Sequence, residues 1–217
     1  MYRICNTLAR VTRRGVASRS KLWRPGQTLR ISFANGSELL QERVRNAADG
    51  WKQCGANIDW EWSDLPKTEV RIGFLRNGQS WSFVGTDALT TDGITMNLGW
   101  LYERTEEQEL QRVVLHEFGH ALGLLHEHQH PEAPFEWNVP LIYDYYQKTQ
   151  GWDKETVDWN LFEKHDTNEA LTTKFCRRSV MEYSFPADFT INGEKVEWEN
   201  FEIAECDAET LRLMYPW

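Results

Sequence analysis

The sequence predicts a single α+β domain, or two small lobes that share a cleft. Its 217 residues are the length of one domain and can bury a substantial core. Short segments in the first half alternate apolar and polar residues, as strands do, while two longer segments carry apolar residues at helical spacing. After residue 126 these patterns fragment, so we expect the C-terminal part to be smaller and less regular.

The strands and the first helix are predicted from the spacing of apolar residues. Residues 28–33 alternate, with Leu29, Ile31 and Phe33 on one face, and predict the first strand. Residues 37–52 predict an amphipathic helix. Four more strands are predicted over residues 58–62, 70–74, 81–85 and 94–98.

The later helices are predicted from the residues at which they start. Thr105 is expected to open a long helix, because Gln108 three residues later completes a capping-box pattern. Asn138, followed closely by a proline, indicates another helix start. Asp207 is expected to cap a final helix.

The most specific feature of the chain is the run H-E-F-G-H-A-L-G-L-L-H that begins at His116. His116 and His120 lie on the same face of a helix and can hold one zinc ion, with Glu117 between them as a general base. In a continued helix, His126 would lie about 9 Å beyond His120 on nearly the opposite face. It can reach the same metal only after a sharp turn, which Gly123 can form because glycine accepts a positive φ. The run therefore predicts a zinc site with three histidine ligands.

An alternative interpretation of this histidine-rich segment is a solvated surface helix. Apolar residues surround the histidines almost completely: Val113, Val114, Leu115, Phe118, Ala121, Leu122, Leu124 and Leu125. A helix that is apolar nearly all round is buried, and buried histidines need partners. A zinc ion is such a partner, which favours the metal site. His128 and His130, which follow, are expected at the surface, and His165 is left unassigned.

A second motif, S-x-M-x-Y, occupies residues 179–183. Together the two motifs resemble the metzincin superfamily of zinc peptidases, in which a methionine turn forms an apolar floor beneath the metal. Met181 would be that methionine. Tyr183 is similar to the tyrosine of the astacin and serralysin branches, where it is an additional zinc ligand. Glu127, directly after the third histidine, favours the astacin branch.

Other stretches resemble the astacin domain in the same order along the chain. They lie at residues 22–26, 81–85 and 211–215. The resemblance implies a metzincin-like fold: a twisted, mostly parallel five-stranded sheet with an antiparallel edge strand, two long helices and a smaller irregular C-terminal lobe across the active-site cleft. We therefore divide the chain into a basic leader, 1–21, and one metallopeptidase catalytic domain, 22–217. Its lobes are expected to be 22–126 and 127–217.

The resemblance also implies an activity. We expect a zinc-dependent endopeptidase that hydrolyses extended polypeptides with a zinc-activated water and Glu117 as the general base. Tyr183 would bind zinc at rest and swing away to donate a hydrogen bond to the oxyanion; the alternative is a tyrosine of the core. An open sheet edge, at residues 81–86 or in the strand that follows, would pair with the substrate backbone.

The sequence departs from the astacin pattern beside both motifs. Astacins usually continue the third histidine as H-E-x-x-R-x-D-R-D, whereas this chain reads H-E-H-Q-H-P-E-A-P. In the methionine turn, Glu182 stands where many astacins have histidine. These differences indicate an outlying, astacin-like member. The specificity pocket, expected around residues 177–190, is therefore not inferred from the family.

Two other functions are compatible with the motifs. One is a zinc-stabilised, non-catalytic binding module that has kept the fold and lost turnover. The presence of Glu117 favours the enzyme, because a degenerate member could lose this residue without losing the metal. The other is an amidase-like hydrolase acting on a non-peptide amide, which a substrate screen with chelator controls would separate.

Charge is distributed unevenly along the chain. Residues 1–24 carry seven basic residues and no acid, although the net charge of the chain is −9. The acidic remainder argues against nucleic acid as a partner, and no stretch reaches the roughly 18 apolar residues of a membrane span. We expect a monomer with a polypeptide substrate. The leader could be a disordered tail, a transit-like segment or a short prosegment. It contains no signal-peptide core, so localisation stays open even though the family resemblance suggests secretion.

The four cysteines are few and widely separated, so they do not identify a redox compartment. Cys54, at a helix end, is expected to be a small buried thiol. Cys5 lies in the leader, and a thiolate is a good zinc ligand. One hypothesis is that Cys5 caps the zinc until the leader is cut after Arg14. As in astacins, the cut could also free an amino group to pair with Glu127. The alternative is a free thiol on a disordered tail.

Overall fold

The computed structural model describes residues 19–165, 171, 173–195 and 200–217, and within them the predicted α+β architecture is confirmed. Cys5 and the cleavage point at Arg14 lie outside the described residues.

One sheet is formed in the described part of the chain by strands β1 (Thr28–Phe33), β2 (Asp59–Trp62), β3 (Val70–Gly73), β4 (Ser80–Ser82) and β5 (Met96–Leu98). The strand order is β2-β1-β3-β5-β4. The three pairings that join β2, β1, β3 and β5 are parallel, while β4 runs antiparallel to β5. Strand β4 is therefore the antiparallel edge strand.

The α-helices of the described residues are α1 (Glu38–Ala48), α2 (Glu107–Ala121), α3 (Val139–Gln150), α4 (Lys154–Val157) and α5 (Glu205–Met214). A 3₁₀ segment, Asp49–Cys54, extends α1, and a π-helical turn, Asp158–Phe162, extends α4. No helix among the described residues is both long and apolar enough to cross a membrane.

Helix α2 begins later than its capping-box pattern predicts. Its N-cap is Glu106, which makes no side-chain cap hydrogen bond. The Thr105 hydroxyl instead accepts a hydrogen bond from the Tyr102 amide at 3.0 Å, and the Thr105 amide donates to the Tyr102 carbonyl at 3.0 Å. The prediction that Thr105 caps the helix is therefore wrong, because its side chain stabilises the preceding turn.

The apolar interior forms two clusters that meet at the methionine turn. The first packs the sheet against α1 and α2 and includes α5, with Met181 among its members. The second is rich in aromatic residues, lies mainly within residues 133–189 and includes Tyr183. Because Met181 and Tyr183 are two residues apart, this short turn joins the two clusters.

The cysteines of the described residues have different roles. Cys176 and Cys206 form a disulfide with a Cα–Cα distance of 6.5 Å, which links the segment before the methionine turn to the start of α5. Cys54 is a buried free thiol, as expected. Burial raises the pKa of Cys54 to about 11, so the thiol stays protonated and unreactive at neutral pH.

Candidate active site

The turn after α2 brings the third histidine back toward the helix. Helix α2 ends at Ala121, and Gly123 has a φ of 101°, a conformation that residues with side chains rarely adopt. The Gly123 amide donates to the His120 carbonyl and the Leu124 amide to the Gly119 carbonyl, each at 2.8 Å. These bonds close the end of the helix, and the turn predicted at Gly123 is present.

His116, His120 and His126 converge on one point. A ring nitrogen of each lies within 4.8 Å of the other two, and all three side chains are buried. The Nε2 atoms of His120 and His126 are 3.0 Å apart. Two nitrogens bound to one zinc at tetrahedral angles, with bonds of 2.0–2.1 Å, would lie about 3.3 Å apart. The observed arrangement is close to that spacing.

The outer ring nitrogens of two of the three histidines are held by backbone carbonyls, as is usual for metal-binding histidines. His116 Nδ1 donates to the Val180 carbonyl and His120 Nδ1 to the Leu124 carbonyl, each at 2.8 Å. This assignment leaves the Nε2 lone pairs facing the common point. His116 Nε2 is buried without a hydrogen-bond partner in the described structure.

Burial also keeps the imidazoles neutral. It lowers the pKa of His120 to about 4, and it holds the pKa values of His116 and His126 well below their ordinary value. Neutral imidazoles are the form that binds metal. The three histidines therefore fit a zinc ion.

Glu117 and Tyr183 lie beside this group. Glu117 follows His116 on α2 and is only 1% exposed. The Tyr183 ring is 4.1 Å from the His126 ring and 5.9 Å from the His116 ring, measured between centroids. The Tyr183 ring is thus adjacent to two of the three histidines, and Glu117 is the buried residue that follows the first of them on α2.

Gly119 has a role that the sequence analysis missed. A β-carbon at this position would collide with the Met181 sulfur, so glycine allows the methionine to pack directly against α2. A glycine inside a helix costs about 1 kcal/mol relative to alanine, which could have indicated a packing role.

Asp207 is not the N-cap predicted for α5, because the helix begins earlier: its N-cap is Ala204, and Asp207 is the third residue of the helix. Its carboxylate accepts hydrogen bonds from the Ser179 hydroxyl at 2.5 Å and from the Val180 and Ala204 amides at 2.9 Å. Burial raises the pKa of Asp207, and these three bonds oppose that shift. The carboxylate therefore anchors the methionine turn to α5, and through the Val180 carbonyl it supports His116.

The prediction that His128 and His130 lie at the surface is wrong. Both are buried, because the second cluster covers this segment. His128 Nε2 hydrogen-bonds to the Asn160 carbonyl at 2.9 Å and His130 Nε2 to the Thr173 carbonyl at 3.0 Å. Neither joins the metal-binding group found among the described residues. The amide of His165, left unassigned above, donates to the Gln129 carbonyl at 3.0 Å.

Glu127 is also held inside the protein. Its Oε1 atom accepts a hydrogen bond from the Cys176 amide at 2.7 Å, beside the disulfide. Burial raises the pKa of Glu127 to about 7. Its own amide donates to the Met181 carbonyl at 3.0 Å, so this residue connects the third histidine to the methionine turn.

The chain is similar to known proteins along most of its length. The model of the astacin family of peptidases matches residues 15–195. Two solved structures of myroilysin are each 32% identical to the chain. One has a TM-score of 0.88 and covers 93% of this chain and 98% of that one. The other has a TM-score of 0.71 and covers 91% and 87%.

A more distant structural likeness concerns the fold alone. High choriolytic enzyme 1, a hatching enzyme zinc-protease from Oryzias latipes (medaka fish), is 18% identical, with a TM-score of 0.63 over 91% of this chain and 96% of that one. Comparison with curated protein sequences gave no match.

Proposed function

The chain belongs to the astacin family of peptidases, and from this membership we propose that it hydrolyses internal bonds of extended polypeptides with Glu117 as general base and Tyr183 as a donor to the transition state. It is a zinc metalloendopeptidase, and its substrates are polypeptides. The observation that carries the proposal is the convergence of His116, His120 and His126.

The residues around the histidines supply the proton transfers that amide hydrolysis needs. When bound, zinc polarises the substrate carbonyl and lowers the pKa of a water to about 7. Glu117 takes a proton from the attacking water and passes it to the departing nitrogen. Glu117 follows His116 on helix α2 and is buried, and this burial keeps bulk water away from the transferred proton.

The edge of the sheet is the proposed binding surface for the substrate backbone. Strand β4 (Ser80–Ser82) pairs with β5 on one side and ends the strand order on the other. An extended peptide can add to such an edge through main-chain hydrogen bonds, which tolerate many side-chain sequences. All three residues of β4 are buried, so substrate pairing at this edge requires the edge to become exposed.

The proposed activity is tested with casein and a panel of non-peptide amides. We expect cleavage of casein at internal bonds, loss of cleavage with a zinc chelator and recovery when zinc is restored. A folded, zinc-loaded protein that cleaved neither substrate class would be a binding module instead. Cleavage of the non-peptide amides alone would identify an amidase.

Replacing Tyr183 with phenylalanine is expected to lower kcat by about 10²–10³, the usual effect of removing one oxyanion donor. KM should change little, because the interaction is made mainly in the transition state. The comparison requires steady-state kinetics on one peptide with a defined cleavage site. Equal kcat values for the variant and the parent would make Tyr183 a core residue only.

The leader hypothesis predicts that the full-length chain is less active than two altered forms. These are Cys5→Ala, which removes the thiolate, and a chain that starts at Gly15, as a cut after Arg14 would produce. Activity is measured on the same peptide at matched zinc content. If all three proteins were equally active, Cys5 would be a free thiol without a role in latency.

A further inference from the structure

The Tyr183 ring contacts the rings of His126 and His128, whose centroids are 5.2 Å apart. Of these two histidines, only His126 belongs to the metal-binding group. The Tyr183 and His128 rings are stacked, with centroids 4.4 Å apart and an interplanar angle of 18°. The centroid of the Tyr183 ring also lies 4.1 Å from that of His126, a member of the metal-binding group. His128 is completely buried, and the hydrogen bond from its Nε2 to the Asn160 carbonyl at 2.9 Å fixes the orientation of the ring.

At its edge, the His128 ring lies near the carboxyl group of Glu182. His128 Nδ1 and Glu182 Oε1 are 4.0 Å apart, and neither side chain has any exposed surface. Glu182 Oε1 also accepts a hydrogen bond from the Tyr183 amide at 3.0 Å. Glu182 therefore contacts the backbone of the same tyrosine whose ring is stacked on His128.

The buried side chains of His128 and Glu182 are not expected to stabilise the folded state. Among the described residues, His128 Nδ1 and Glu182 Oε2 are buried without hydrogen-bond partners. Leaving such atoms unpaired is destabilising, and apolar residues of similar size in their place are often neutral or stabilising. Stability alone would not favour an imidazole and a carboxyl at these two positions, behind a tyrosine that faces the metal-binding group.

We propose that His128 and Glu182 are a positioning pair for Tyr183. The stacked imidazole restricts the plane of the phenol ring, while the carboxyl holds the amide from which that side chain extends. Together they limit both the backbone and the side-chain rotations that would move the phenol away from the three histidines. The inference rests on the proposed function, because it concerns the tyrosine that acts in hydrolysis.

The pair should affect turnover more than substrate affinity. A loosely held phenol would seldom occupy the position at which it donates to the transition state, so kcat falls. The substrate backbone is proposed to bind along β4, where neither residue lies, so KM stays close to the parent value. A role in packing alone would instead alter stability without this separation of kcat from KM.

The test uses His128→Leu, Glu182→Met, the double variant and the conservative variant Glu182→Gln. His130→Leu is the matched control, because His130 is another buried histidine of the same segment, and it hydrogen-bonds to Thr173 and packs near Phe175 rather than on Tyr183. Steady-state kinetics on one peptide are combined with the spectrum of the copper-substituted protein. A phenolate–copper charge-transfer band reports Tyr183 independently of activity, and Tyr183→Phe identifies that band.

We expect each apolar single variant to lower kcat about tenfold with KM within about twofold, and to shift or weaken the band. The double variant should be no less active than the less active of the two single variants, since both residues act on one side chain. Unlike Glu182→Met, Glu182→Gln keeps an oxygen acceptor for the Tyr183 amide, so it should retain most of the parent kcat. The control should resemble the parent.

The inference is overturned if His128→Leu and Glu182→Met match the control in kinetics and spectrum while Tyr183→Phe is impaired. If Tyr183→Phe itself equals the parent in kcat, the proposed role of the tyrosine has failed, and the positioning pair fails with it. Should His128→Leu not fold, the comparison of Glu182→Met with Glu182→Gln decides the question, because these two differ in the acceptor offered to Tyr183.

Discussion

Replacing Glu117 with glutamine is expected to remove nearly all peptide hydrolysis while zinc binding is unchanged. Glutamine has almost the same shape as glutamate but cannot take a proton from water at neutral pH. General acid–base groups typically contribute 10²–10⁴ in rate, so we expect kcat to fall by about that factor. The three histidines that hold the metal are untouched, so the metal content should equal that of the parent.

The measurement pairs kcat on a peptide substrate with the zinc content of the purified protein. Glu109→Gln is the matched control, because it makes the same substitution on the same helix at a partly exposed residue that is paired with Arg112. The control should retain the parent kcat. Turnover by Glu117→Gln near the parent rate would rule out this residue as the general base.

The sequence predicted best those features that local spacing determines. The alternation of residues 28–33 placed β1 at its observed bounds, Thr28–Phe33. Likewise, the four-residue spacing of His116 and His120 requires a shared helix face, and only a turn such as that at Gly123 could add His126. In these cases the deciding interactions are within a few residues of one another.

Features that depend on distant packing were missed or wrong. The burial of His128 and His130 depends on partners at Asn160 and Thr173, which no local pattern connects to them. Asp207 was predicted to cap a helix because capping depends on neighbouring residues. Its hydrogen bonds to Ser179 and Val180 instead join segments far apart in the chain. The Cys176–Cys206 disulfide likewise joins residues 30 positions apart, which no local pattern connects.

Helix boundaries were predicted only in part, because they depend on both local spacing and distant packing. The predicted helix over residues 37–52 is α-helical only over Glu38–Ala48 and continues as a 3₁₀ segment. Apolar spacing differs too little between the two helix types to separate them over one or two turns. In that 3₁₀ segment, Trp51 donates a hydrogen bond from its indole to the Leu115 carbonyl of α2 at 3.0 Å, a tertiary contact that the sequence does not reveal.

Replacing His126 with alanine is expected to abolish tight zinc binding and the stability that zinc provides. An ion at a concentration 1,000 times its Kd stabilises the folded state by about 4 kcal/mol. For a chain of 150–250 residues each kcal/mol corresponds to about 2–4 °C in Tm, so zinc should raise the parent Tm by about 8–16 °C. In the variant, only two of the three histidine ligands remain, His116 and His120. Most of the zinc-dependent rise in Tm should therefore disappear.

This effect is large because His126 joins two parts of the fold. His116 and His120 belong to α2, whereas His126 follows the Gly123 turn and contacts Tyr183 of the second cluster. The test compares Tm with and without zinc in the parent, in His126→Ala and in His130→Ala, whose ring is outside the metal-binding group. His130→Ala should keep the zinc-dependent shift even if its Tm is lower throughout. An equal shift in His126→Ala would mean that zinc is held without the third histidine, and the site would then need a different ligand.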